Sequence, residues 1–134
     1  MLDKILLYVD ESEATRTISA WALKLAKLIS ARLFVVFVIR ETEAKKPLTK
    51  TRAKGGGRNS NLEEKAWAIL YEIEDDAFEE NVKISLILEE GRPEDKLIEV
   101  LQEFELDAMI ISSQAKLDFK ELISRLQNKA LIIK

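Results

Sequence analysis

Short apolar runs alternate along this chain with segments whose apolar residues recur at helical spacing, so the pattern predicts strands and helices in turn. Ile5-Leu6-Leu7-Tyr8-Val9 is a continuous apolar run bounded by charge, which suits a strand buried on both faces of a parallel sheet. Ala14, Ile18, Trp21, Ala22, Leu25, Leu28 and Ile29 then form one face of a helix, with Ser12 placed to cap its first turn. Leu33 to Ile39 is a second buried strand. Ser60 and Glu63 read as a capping box for a second helix, striped by Leu62, Ala66, Ile69, Leu70, Ile73 and Ala77. Val82 to Leu88 is a third strand. Gly91 and Pro93 mark the entry to a third helix, with Leu97, Ile98, Leu101 and Phe104 facing inward. Ala108 to Ile111 is a fourth strand, Asp118 with Glu121 caps a short helix bearing Leu122, Ile123 and Leu126, and Ala130 to Ile133 is the last strand. Helical crossovers between buried strands predict one α/β domain over residues 1–134, an open parallel sheet with helices on both faces. In such sheets ligands lie outside the carboxyl ends of the strands. The segments to inspect are Asp10 to Ser12, Val38 to Glu41, Glu89 to Arg92 and Ser112 to Leu117.

One stretch has neither periodicity. From Ala44 to Ser60 there are six basic residues (Lys45, Lys46, Lys50, Arg52, Lys54 and Arg58), no acidic one, Pro47 and the run Gly55-Gly56-Gly57. It reads as a flexible, exposed basic loop at about 41–60, set into a body that holds 15 basic against 24 acidic side chains. It lacks the Lys-Ser/Thr ending of a P-loop. Lys50, Arg52, Lys54 and Arg58 are the candidate anion contacts, for a nucleotide or an acidic partner.

Composition narrows the chemistry. The 134 residues include no Cys and no His, which excludes zinc sites of the usual kind, thiol chemistry and Ser-His-Asp catalysis. No metal site and no catalytic residue is assigned. A net charge of −3 argues against a general nucleic-acid binder, and the apolar runs are too short to span a bilayer, so the chain is read as soluble and cytoplasmic. Trp67, Tyr71 and Phe78 lie near one another around the second helix and either widen the core or form a partner-binding face, the core reading being favoured.

Lys4 to Glu13, with Val9-Asp10-Glu11-Ser12-Glu13 after the first strand, resembles the opening of the universal stress proteins, an apolar run followed by Val-Asp-Gly-Ser-Glu. Glu90-Gly91-Arg92-Pro93 and Asp107-Ala108-Met109-Ile110-Ile111-Ser112 are similar to the same family's Glu-Gly-x-Pro turn and Asp-led fourth strand. The resemblance implies a Rossmann-like sheet of the adenine nucleotide alpha hydrolase type in order 3-2-1-4-5. It also implies a homodimer paired through the last strand, here Leu131, Ile132 and Ile133. Many members bind ATP through the Asp after strand one, a contact at the end of strand two, and a Gly-x-x-Gly, nine residues, Gly-Ser/Thr signature. The carry-over is Asp10, Val38 and the segment Ser112, Ser113 and Ala115, where Ser112 and Ala115 stand at the first two glycine positions and the third has no counterpart. Glycines in such loops let backbone N–H groups close on an anion. Their loss leads to the expectation of a non-catalytic, dimeric stress-response module with an unknown protein partner and no obligatory cofactor. The alternative is an ATP- or AMP-binding member, with Mg²⁺, using Asp10 and the basic loop.

Overall fold

The computed structural model describes residues 2–40 and 57–134. Lys50, Arg52 and Lys54 therefore lie outside the described residues. In chain order the elements are β1 (Lys4–Val9), α1 (Ala14–Ile29), β2 (Arg32–Arg40), α2 (Gly57–Glu80), β3 (Ile84–Gly91), α3 (Pro93–Glu103), β4 (Ala108–Ile111), α4 (Phe119–Arg125) and β5 (Ala130–Ile133). All pairings are parallel and the sheet runs β3-β2-β1-β4-β5, the order that the resemblance implies.

Strand alternation divides the core in two. Ile5, Leu7, Val9, Leu33, Val35 and Phe37 point to the face covered by α1 and α2, where Ala22, Leu23, Ala26, Leu70 and Ile73 meet them. Leu6, Tyr8, Phe34, Val36 and Val38 point the other way, against Leu97, Ile98 and Leu101 of α3 and Leu122 of α4. Both faces of β1 and β2 are thus dry, which explains their unbroken apolar runs. Each fully buried Leu or Ile contributes about 1.5–3 kcal/mol relative to exposure.

Several boundaries and faces differ from the sequence reading. α2 begins at Gly57, so Ser60 lies inside the helix and does not cap it, and Arg58 belongs to its first turn. Once a packed stripe anchors a helix, adding upstream residues costs little, since each closes a hydrogen bond without a new nucleus. β3 starts two residues late, at Ile84. Leu28 is 82% exposed and Ile29 40%, because the buried face of α1 is centred on Ile18, Ala22 and Ala26 rather than on the leucine flank. Ile123 is exposed. Phe104 is partly exposed and rests on the ring of Phe34, with centroids 5.4 Å apart. Of the three aromatics on α2, Trp67 packs partly on the core, but Tyr71 and Phe78 stand out into solvent. The core reading fails for those two.

Three helices stop in the same way. Ser30, Asn81 and Glu105 adopt left-handed φ of 59°, 61° and 55°. The next residue then returns its N–H to a carbonyl five positions back, with Ala31 to Ala26, Val82 to Ala77 and Leu106 to Leu101 each at 2.9 Å. Gly91, at φ 146°, makes the turn into α3, where a Cβ would come within 2.9 Å of Lys96 Cε. Pro93 occupies the first turn of α3, as the sequence predicts.

Asp107 ties the start of β1 to β4. Its Oδ2 accepts the Asp3 N–H at 2.9 Å and the Lys4 N–H at 3.0 Å. These donors, the Lys4 amide first, hold the Asp107 carboxyl below the usual carboxylate range.

Candidate functional site

Topology brings the ends of β1, β2 and β4 together. Between them lies a hollow of about 590 Å³ lined by Tyr8, Asp10, Ser12, Val38, Arg40, Gln114 and Lys116 among others. Asp10 and Val38 are therefore where the sequence reading placed them.

The Asp10 turn is built by its own carboxylate. Oδ1 accepts the Ser12 N–H at 2.9 Å and the Ser12 hydroxyl at 2.6 Å, while the Thr15 hydroxyl, 2.9 Å from Oδ1, makes its shorter bond to the Asp10 carbonyl at 2.6 Å. Thr15 Oγ1 also accepts the Asp10 N–H at 2.8 Å. Ser12 does not cap α1, as the sequence reading has it: the N-cap position is Glu13, without a side-chain cap bond, and the Ser12 hydroxyl turns back to Asp10. Ser12 stands one residue before the N-cap, and its hydroxyl donates its proton to a charged acceptor, the Asp10 carboxylate.

Tyr8 forms the inner wall and is almost fully buried. Burial pushes its phenol up to about 12, the Asp10 charge adds to this, and the nearby Arg40 opposes it. Tyr8 is thus a neutral hydroxyl at any ordinary pH. Arg40, at the end of β2, donates from Nη2 to the carbonyl of Lys116 at 2.5 Å, so it straps the loop after β4 across the hollow.

That loop, residues 112–118, is held from several sides. The Ser112 hydroxyl accepts the Gln114 N–H at 3.0 Å and the Ser112 carbonyl accepts the Ala115 N–H at 3.0 Å. The Ser113 hydroxyl donates to the Lys134 carbonyl at 3.3 Å. At its far end Glu94, a buried carboxylate on α3, accepts the Asp118 N–H at 2.7 Å. Asp118 in turn caps α4, its Oδ1 accepting the Glu121 N–H at 3.0 Å as the sequence predicts. Ser112 thus turns the N–H groups of Gln114 and Ala115 into the loop itself.

Ser112, Ser113 and Gln114 also border a smaller hollow of about 270 Å³ beside the start of α1. A third, of about 630 Å³, opens on the other side of Asp10 between α1 and α2. Glu11, Glu13, Glu72 and Asp76 line it, and those carboxylates repel an anion. Among the described residues no group of three or more acidic side chains is arranged to hold a metal ion.

An ionic clamp fixes α4 to α3 beside this loop. Arg92 forms a fork on the Glu121 carboxylate, and Arg125 Nη1 reaches Asp95 at 2.7 Å and Glu121 at 2.8 Å. The Arg92 hydrogen bond, helped by Arg125, holds the Glu121 carboxyl down to about 2 against an ordinary value of 4.5. Asp95 is lowered too, first by its bond to Arg125. A depressed carboxyl stabilises the fold above its unfolded value and loses that contribution as pH falls through its folded one. Amide protection in α4 is therefore expected to weaken between pH 4.5 and about 2. Glu121→Gln should flatten that acid limb, and α4 protection factors, corrected for intrinsic exchange, that are identical at pH 5 and pH 2.5 would contradict the assignment.

Arg40, Lys116, Thr15 and Glu94 are contributors that sequence reasoning does not single out. Arg40 and Lys116 do fall within the strand-end segments at 38–41 and 112–117, which is the signal that could have found them. Leu131, Ile132 and Ile133 lie on the edge strand β5, outside this site, with Ile133 partly exposed.

No described helix is long and apolar enough to cross a membrane. No curated protein matches the chain. Among solved structures, hypothetical protein MJ0577 is 20% identical, with 99% of this chain and 95% of that one covered and a TM-score of 0.81. The universal stress protein from Archaeoglobus fulgidus in complex with dAMP is 17% identical, covers 99% and 98%, and has a TM-score of 0.72. A universal stress protein family protein from Arabidopsis thaliana with AMP bound is 12% identical, covers 98% and 92%, and has a TM-score of 0.71. At these identities the likeness is one of fold. The model of the universal stress protein family, however, matches residues 1–126 of the sequence itself, and on that ground the chain belongs to the universal stress protein family.

Proposed function

We propose that this protein is a non-catalytic regulatory module of its family, acting through protein contacts and without obligatory ATP. The observation that carries this reading is the loop after β4, where Ser112 takes the N–H of Gln114 and of Ala115 for itself. A phosphate nest needs such N–H groups turned outward. The chain holds no histidine to serve as a general base. The reading includes a homodimer through Leu131, Ile132 and Ile133, since an apolar edge strand is ordinarily covered.

A second reading rests on the hollow at Asp10. Val38 and Tyr8 offer an apolar wall for a base, Asp10 an acceptor for a ribose hydroxyl, and Arg40 with Lys116 two cations for a single phosphate. Relatives in the same fold hold AMP, dAMP and cAMP. That set fits a monophosphate better than ATP. Under this reading Lys50, Arg52, Lys54 and Arg58 add to the anion contacts.

Calorimetry with ATP and with AMP, each with and without Mg²⁺, separates the two. The leading reading expects no heat and no thermal shift at millimolar ATP, with a dimer by light scattering at micromolar protein. Tight ATP binding that Asp10→Ala removes would overturn it in favour of nucleotide binding. AMP heat alone, lost in both Asp10→Ala and Arg40→Ala, would select the monophosphate form.

A further inference from the structure

On α2 the residues Trp67, Tyr71, Glu74 and Phe78 follow a four-three-four spacing, so they form one seam along the helix. Glu72 and Glu80 face the other flank, where they pair with Arg16 and Lys27 of α1. The seam therefore lies away from α1, on the side of edge strand β3. Trp67 stacks on Tyr71 with ring centroids 5.4 Å apart, Tyr71 is 53% exposed and Phe78 is 83% exposed. Tyr71 and Phe78 are large apolar groups held in water on a long, well-packed helix.

The charge around the seam specifies what can cover it. Residues 61–80 carry eight acidic side chains against Lys65 alone, and all eight acids are exposed. Glu64, Glu74 and Asp75 sit one turn from the three aromatics, and Glu74 stands on the seam itself. A second copy packing α2 against α2 would bring these carboxylates face to face. An anionic lipid surface or a nucleic acid is repelled for the same reason.

We propose that this face of α2 is a docking surface for a cationic amphipathic helix of a partner protein. Its aliphatic side chains would seat on Trp67, Tyr71 and Phe78, and a Lys or Arg would meet Glu74 across the seam. Cations over the exposed aromatic rings would add to the attraction. The proposal is independent of the nucleotide hollow and of β5.

The test uses the full chain and a fluorescein-labelled peptide of three Leu-Lys-Lys-Leu-Leu-Lys-Leu repeats, with the matching Glu-for-Lys peptide as control. Anisotropy should report saturable binding of the Lys peptide and none of the Glu peptide. The Tyr71→Ala/Phe78→Ala double variant should weaken binding by about tenfold or more, as expected when aromatic anchors are removed. Glu74→Lys alone should weaken it comparably, and Glu103→Gln, a single acid change on α3, should leave it unchanged. Equal weakening by Glu103→Gln, or binding indifferent to the aromatic double variant, would mean diffuse charge attraction and would overturn the proposal. So would sedimentation showing that the double variant dissociates a dimer of this chain, since the occupant would then be a second copy. These positions are exposed, and unchanged far-UV circular dichroism of each variant confirms that folding is not the cause.

Discussion

Replacing Leu7 by Ala is expected to lower the unfolding free energy by about 3–5 kcal/mol, the upper range for truncating a buried leucine. Leu7 is wholly buried, and it sits between Val35 of β2 and Ile110 of β4 in the middle strand of the sheet. Hydrogen-bonded strands on both sides prevent the backbone from collapsing into the vacated space, so a cavity persists. A loss of this size removes a large part of the roughly 5–15 kcal/mol that holds an ordinary domain. Urea denaturation should show a lower midpoint at an unchanged slope. Leu28→Ala serves as the counterpart on exposed α1 surface, where a change within about 0.5 kcal/mol is expected. Similar losses in the two variants would refute the placement of the sheet core.

Glu94→Ala should be the most damaging polar substitution near the site, at about 2–3 kcal/mol, because it strands the Asp118 N–H in a part-buried position and removes a hydrogen bond to a charged acceptor. The effect should be local as well as global. Asp118 caps α4, so losing its anchor releases both the helix start and the wall of the hollow that carries Gln114 and Lys116. Glu94→Gln keeps an acceptor oxygen at the same reach and should recover most of the loss. Hydrogen exchange across residues 112–125 would show the difference, and equal costs for the two variants would refute the acceptor role.

The sequence made some of this legible and concealed the rest for identifiable reasons. β1, β2 and β4 are readable because both of their faces are dry, so no polar residue interrupts them. The strand order is not contained in any local period and came from resemblance to a family. Leu28 misleads because helical spacing reveals that a side is apolar without revealing how far around the helix its neighbours reach. Tyr71 and Phe78 mislead similarly, since an aromatic at core spacing looks the same whether or not another element covers it. Within the site, Asp10 and Val38 were visible as strand-end positions. Arg40 falls in the same strand-end segment but shows no role locally, because a lone cation acquires one only when the sheet brings it to the Lys116 carbonyl, 76 residues away. Glu94 was hidden for the same reason: an acid in a helical first turn ordinarily faces water, and nothing local to it announces the Asp118 amide.

The position of β1 also governs how the chain can assemble. Its contacts with β2 close across the single α1 crossover, whereas its other edge waits for β4, and Asp3 and Lys4 meet Asp107 only across more than 100 positions. Until that distant segment arrives, the apolar central strand has one side open. Contacts of such separation bear the full entropy of a long closed loop before they return any stability, which makes their formation slow. During synthesis the first half of the chain lacks β4, the strand that covers this edge in the finished sheet. The central strand that confers stability at the end is also the greatest hazard on the way there.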